Sequence, residues 1–307
     1  MRSTRSRAVP HLLQDILEGQ FFNFQTRIQD EKTRRHYRRA VRFLGEYLER
    51  PPKVGDLTDD HLAGLLTWLQ RTRGQSAVTA NTSRKCLAAF WRWLHNRGYI
   101  ATGPTIAPLP TPRRAPQAAK KSELEALIQA ARTSPGTICE MPARVWWSIH
   151  FAIEWDAGCR ATELLSLRWE WIDWETGWMV VPAEVRKGKR QDGVYGLMPD
   201  TITLLSQYRK PYGSILQWDA TRHPSGYYKL WDDLLERAGL PVDRKHKSQW
   251  IRRSFATWVA VGGGDASAAC GHASPSTTSA HYLDPTMVTK RHGEQIPFRL
   301  LGMAAGG

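Results

Sequence analysis

Apolar residues recur at helical spacing through the first third of the chain. Tyr37, Val41, Leu44 and Leu48 are separated by four, three and four positions, which predicts one buried face of a helix over residues 33–50. Pro51-Pro52 stops it. Thr58-Asp59-Asp60 offers a helix start, and Leu62, Leu65, Leu66 and Leu69 form the next stripe, closed by Gly74. Leu87, Phe90, Trp91 and Leu94 mark a third helix over residues 78–96. The pattern predicts a small helical bundle over residues 26–101, behind a tail at 1–25.

Residues 102–118 break the pattern. Pro104, Pro108, Pro110, Pro112 and Pro116 predict an extended, semi-rigid linker between two domains. A mixed block follows over residues 119–299, with a tail at 300–307. Ser122 and Glu125 have capping-box spacing at the head of one helix. Residues 144–157 read as an apolar, Trp-rich helix, and residues 162–167 as a short one with Thr162 as cap. Residues 178–181 (WMVV) read as a strand, with residues 194–198 as its return and a basic turn between. Helices dominate from residue 201. The fold class is mainly α with a small β-sheet (α+β), in two domains.

Composition narrows the function. The 307 residues carry 43 Lys+Arg and 29 Asp+Glu, a net charge of +14. Residues 1–117 hold 20 basic and 9 acidic side chains, so most of the excess sits in the first domain, where it suits a polyanion. Arg34, Arg35, Arg38, Arg39 and Arg42 on one helix, with Arg84 and Lys85 on another, are the candidate DNA contacts. The longest strongly apolar run, residues 145–153, is far below the roughly 20 residues of a membrane span. The first residues lack the apolar core of a secretory signal. The four cysteines form no CxxC pair and read as free thiols of a reducing cytosol, so the expected location is cytoplasmic, with the nucleoid. The fourteen tryptophans are assigned to packing.

Four stretches of the second block carry candidate chemistry: Asp156-Ala-Gly-Cys-Arg160-Ala-Thr-Glu163-Leu-Leu-Ser-Leu-Arg168-Trp; Val185-Arg-Lys187-Gly-Lys-Arg; Ile251-Arg252-Arg253-Ser-Phe-Ala-Thr-Trp; and Cys270-Gly-His272 followed ten residues later by Tyr282. In this order, behind a basic helical domain, they resemble the motifs of tyrosine recombinases, the phage integrase family. The resemblance implies a helical core-binding domain, a mixed catalytic domain, and cutting and rejoining of double-stranded DNA through a 3′-phosphotyrosine. It implies no cofactor and no metal.

Each residue type fits a task. Two guanidiniums, Arg160 and Arg252, would clamp the phosphate, because they stay charged and present a planar fork. Tyr282 would be the nucleophile, its phenol activated by neighbouring cations or a base. Lys187 would protonate the leaving 5′ oxygen. Arg186, Lys189 and Arg190 compete for that role, and spacing from the strand favours Lys187. His272 would touch a non-bridging oxygen or move a proton. Glu163 would brace the site, as the family's acidic residue does. One position departs from the family: the usual histidine three residues before the second arginine is Gln249, whose amide donates a hydrogen bond but shuttles no proton. His246, six residues before Arg252, should face elsewhere, and His281 is a substitute base.

The main alternatives are a DNA-binding protein of the same fold without turnover, and a type IB-like topoisomerase. A metal-dependent nuclease is disfavoured, since no HExxH motif is present. The resemblance further implies a monomer in solution, a homotetramer on DNA, two domains closing on the duplex as a clamp, and a tail after Tyr282 that docks on a neighbour.

Overall fold

The structure, a computed structural model, describes residues 12–26, 28, 30–112, 114–186, 191–218, 224–271 and 274–288. The chain divides into two compact units, Met1–Arg113 and Arg114–Gly307.

The first unit is helical. α1 (Leu13–Ile16), a π-type turn (Leu17–Phe21) and α2 (Phe22–Phe24) lead into α3 (Glu31–Leu48), α4 (Asp59–Arg71) and α5 (Ala77–Asn96). Asp30 caps α3 by accepting from the Lys32 N–H at 3.1 Å. Glu49, at φ 54°, and the Pro51-Pro52 pair end it. Thr58 caps α4, and Asp59 and Asp60 then face its positive end. Val41 and Leu44 of α3, Leu62, Leu65, Leu66 and Leu69 of α4, and Leu87, Phe90 and Leu94 of α5 meet in one core.

The tail expected at 1–25 does not hold for residues 13–24. Leu13, Ile16, Leu17, Phe21 and Phe22 are buried in that core. Their spacing of three, one, four and one is an apolar helical stripe, interrupted by the π-type turn around Gly19. The proline-rich seam has neither helix nor strand, but its first half is fastened to the first unit. Asp59 accepts from the Thr105 and Ile106 N–H groups at 3.0 Å, Asn81 exchanges two hydrogen bonds with Leu109, and Arg84 donates to the Ile106 carbonyl at 2.9 Å.

The second unit is mixed. α6 (Lys121–Arg132) is followed by the two-residue strands β1 (Thr137–Ile138) and β2 (Met141–Pro142), then α7 (Ala143–Ala157) and α8 (Ala161–Leu164). The hairpin β3 (Trp178–Val181) and β4 (Gly193–Gly196) pairs antiparallel, Trp178 with Gly196 and Val181 with Gly193. Then come α9 (Pro199–Ser206), α10 (Pro224–Arg237), α11 (Gln249–Val261), α12 (Ala266–Ala269), α13 (Pro275–His281) and α14 (Pro285–Val288). Two expected caps move. α6 starts one residue early, and Glu123, not Glu125, reaches back, accepting from the Lys120 N–H at 2.7 Å. α8 starts after Arg160 and has no side-chain cap at Thr162.

α7 is the axis of this unit's core. Trp146, Trp147, Ile149 and Ile153 are inaccessible, and Trp147 packs on Phe151 and Trp231. Burying such rings supplies about 1.5–3 kcal/mol each, plus roughly 0.5–1.5 for an aromatic pair. Inside this core lie two polar side chains, His150 and Glu154, one turn apart. His150 Nε2 meets the Tyr227 hydroxyl at 3.0 Å, and its Nδ1 is 3.6 Å from Glu154. Burial pulls the imidazole down to about 3 and pushes the carboxyl well above the carboxylate range, although Arg252 draws it the other way. Burial thus favours the neutral form of both.

The two shifts oppose one another. Below pH 6.5 the unfolded chain protonates a histidine that the folded chain keeps neutral, so stability falls as pH falls. Above pH 4.5 the unfolded chain ionises a glutamate that the folded chain keeps protonated, so stability falls as pH rises. Between these values the two slopes cancel. Glu154→Gln removes the second. Its stability relative to the natural protein, from urea unfolding at pH 5 to 8, is expected to rise with pH by up to about 1.4 kcal/mol per unit. A difference independent of pH would show that Glu154 is ionised in the fold.

Candidate active site

α7 ends at Gly158, and that ending builds the first part of the site. Gly158 adopts φ 52°, and a Cβ there would overlap the ring of Phe255 on α11. The turn it makes puts Arg160 at the head of α8 and aims the Gly158 carbonyl at Arg252.

Arg252 lies one turn into α11 and is 1% exposed. It donates to the Gly158 carbonyl and, through Nη2, to the Cys270 carbonyl at 2.7 Å. Burial opposes its charge, but Cys270 and Tyr282 more than offset this and hold its pKa above the ordinary value. Its guanidinium stands 5.4 Å from the centre of the Tyr282 ring. Burial raises the Cys270 pKa, while Arg252, which donates to its carbonyl, and Arg160 draw it down.

Tyr282 ends α13 and is half-buried. Its segment is pinned to α11 from behind. Thr257 donates to the Tyr282 carbonyl at 3.1 Å and accepts from the Asp284 N–H at 3.0 Å. Asp284 accepts from Ala118 N–H at 3.0 Å, and the next residue, Ala119, donates to Ser254 of α11 at 2.7 Å. The tyrosine and Arg252 thus share one helix as their support.

Glu163 is buried on α8 and takes two partners on one oxygen: Arg186 Nε at 2.9 Å and the Tyr195 hydroxyl at 2.7 Å. Arg160 Nη1 is 4.0 Å from the other oxygen, with 21% of its side chain exposed. The carboxylate sits closer to Arg186 than to Arg160. Arg186 is buried and bonded, which removes it from the contest for the proton-donor role. Sequence reasoning placed it among the ambiguous basic residues; its position beside a strand end and two glycines was the available signal. Tyr195, pushed above the ordinary phenol range chiefly by burial and next by Glu163, was missed altogether.

Gln249 is exposed at the first turn of α11, three residues before Arg252. His246 lies before that helix, 2.8 Å from Asp243, with its ring against Trp250. His281 is exposed beside Tyr282. Lys187 and His272, together with the tail after residue 288, lie outside the described residues.

The first unit's candidate contacts divide. Arg35, Arg38, Arg39 and Arg42, with Gln14, line a basic cleft of about 460 Å³. Arg38 is held by Glu18 at 2.6 Å and Glu31 at 2.5 Å. Arg34 donates to the Ile28 carbonyl at 3.1 Å, Arg84 is tied to the seam, and Lys85 is exposed.

The sequence model of the phage integrase family matches residues 118–288, which contain every catalytic candidate. IntQ of Escherichia coli (strain K12), a protein whose name carries the word defective, is 26% identical over 232 residues. That match covers 62% of this chain and 55% of IntQ, so the chain spans about half the length of this curated relative. A lambda integrase dimer bound to a COC′ core site superposes with a TM-score of 0.65 at 19% identity, over 94% of this chain and 99% of the other. The Tn1549 transposon integrase in complex with circular intermediate DNA does so with a TM-score of 0.67 at 12% identity, over 88% and 95%. The mainly helical fold with small antiparallel sheets is thus the fold of these integrases.

The Gly158 turn is testable. Gly158→Ala puts a methyl group into the Phe255 ring at a positive φ and is expected to destabilise the chain by about 2 kcal/mol or more in urea unfolding. A change within about 0.5 kcal/mol would show that the turn relaxes freely.

Proposed function

The chain belongs to the phage integrase family, and from that premise we propose that it is a site-specific DNA recombinase acting through Tyr282. The observation that carries this reading is the buried Arg252, held by two carbonyls with its guanidinium over the Tyr282 ring.

The tyrosine oxygen bonds to the scissile phosphorus as the bond from phosphorus to the 5′ oxygen breaks. The phenolic proton passes to a base, and the leaving 5′ oxygen takes up one proton. The 3′ end is left esterified to Tyr282, and attack by a second 5′ hydroxyl reverses the step on a new partner. The phosphate ester bond is conserved throughout, so no nucleotide is consumed. Arg160 and Arg252 receive the charge that builds on the non-bridging oxygens, at roughly 3–4 kcal/mol per donor. Lys187 is the proton donor, His272 a phosphate contact, and Glu163 the brace of the frame. The basic cleft of the first unit receives backbone phosphates of double-stranded DNA in the cytoplasm.

Tyr282 is pinned to its own chain's α11, so each protomer supplies one tyrosine and one Arg252 beside it. Exchange between two duplexes needs four cut strands. It therefore calls for a homotetramer on DNA, formed from monomers.

Gln249 favours a second reading, a DNA-binding protein of this fold without turnover, because an amide carries no proton away. Nicked duplexes that trap the covalent intermediate separate the two. The natural protein is expected to become linked to DNA, and Tyr282→Phe to bind equally well with no linkage. Linkage retained in that variant would remove Tyr282 as nucleophile, and binding without linkage in both would leave the second reading. Gln249→His is expected to keep or raise the trapping rate. A loss above tenfold, about 1.4 kcal/mol, would give the amide a role of its own. Sequencing the trapped DNA identifies the target.

A further inference from the structure

We propose that Arg186 is a positioning residue for strand cleavage, the guanidinium that locks the β3–β4 hairpin onto the catalytic frame so that the leaving 5′ oxygen is protonated. This inference rests on the recombinase reading above.

Arg186 is almost wholly inaccessible, and its side chain makes four hydrogen bonds among the described residues. Nε donates to Glu163 at 2.9 Å. Nη1 donates to the carbonyls of Gln191 at 3.0 Å and Asp192 at 2.7 Å. Nη2 donates to the Tyr195 hydroxyl at 3.3 Å. Three of these four bonds end on the returning arm of the hairpin. The side chain therefore ties Arg186 to Gln191 and Asp192, which follow it in the chain by five and six positions. The fourth bond fastens the tied base to α8, three residues beyond Arg160.

Two glycines make room for it. A Cβ on Gly193 would lie 2.9 Å from Nε, and one on Gly271, which has φ 60°, would lie 2.8 Å from Nη2. The guanidinium is therefore enclosed between the hairpin strand and the turn that precedes α13. Burying a charge is unfavourable unless every donor finds a partner, and only a planar fork reaches a carboxylate, two carbonyls and a hydroxyl together. A turn free to fluctuate would present a proton donor in many geometries, and cleavage depends on one of them. The residue that follows Arg186 is Lys187.

The test compares covalent trapping on two DNAs of the sequence recovered with Tyr282. One has an ordinary scissile phosphodiester. The other has a 5′-bridging phosphorothiolate, whose sulfur departs without needing a proton. The proteins are the full natural chain, Arg186→Met, Arg186→Lys and Tyr195→Phe. Arg186→Met is expected to cleave the ordinary DNA about 100-fold more slowly, the range of a lost general acid, and the sulfur DNA within about fivefold of the natural rate. Arg186→Lys and Tyr195→Phe should show the same preference to a smaller degree, and they carry the test if the methionine variant fails to fold. Equal slowing on both DNAs, or an unimpaired ordinary rate, overturns the proposal. No trapping of the natural protein on either DNA overturns the recombinase reading itself and takes this inference with it.

Discussion

Holding positive charge inside a protein without neutralising it is the constraint on which this structure turns. A guanidinium placed to receive a phosphate loses its use if a carboxylate reaches it first, and placed in bulk water it is screened. Arg252 meets the constraint with backbone. The carbonyls of Gly158 and Cys270 accept from its Nη1 and Nη2 with partial charges, and the group keeps its full charge in a buried place. Those carbonyls are available because a glycine with positive φ ends α7 and because α12 stops at Cys270. The local chain reversals thus exist in the service of one side chain.

The same constraint explains the acidic residue next to Arg160. Glu163 stands three positions beyond it and could have closed the fork. Instead its nearer partners are Arg186 and Tyr195, while Arg160 stays at 4.0 Å. A carboxylate already matched by a buried cation exerts less pull on a second one. The site is a chain of paired groups in which Arg160 has the longest ion pair to Glu163.

Most of the helices were legible because their apolar residues follow one period over three or more turns, as in Tyr37, Val41, Leu44 and Leu48. The residues 13–24 were not, because a π-type turn shifts the stripe midway and the acidic and polar residues around Gly19 look like a tail. Cap positions slipped by a residue or two for a similar reason. Ser122-Glu125 and Lys120-Glu123 share one spacing, and the fold uses the second. The catalytic candidates were legible as motifs, but their supports were not. Thr257, Ser254 and Asp284 act through backbone contacts at sequence distances of 25 to 166 residues, which no local pattern encodes. Arg186 shows the opposite difficulty: in a run of basic residues, charge reveals nothing about which one is turned inward.

That last point applies to the first unit as a whole. Its excess of basic residues is a formal count, and the structure divides it into two populations. Arg38 is taken up by Glu18 and Glu31, Arg84 by the seam, and Arg34 by the Ile28 carbonyl and the face of Phe22. These side chains spend at least some of their donors on the fold. Arg35 and Lys85 are exposed, and Arg42 has a 3.4 Å pair with Glu46, weak at such exposure, and the face of Phe43. A polyanion meets the second population first. An arginine already bonded within the fold still adds to the long-range field that draws DNA in, but it must give up a partner to touch a phosphate.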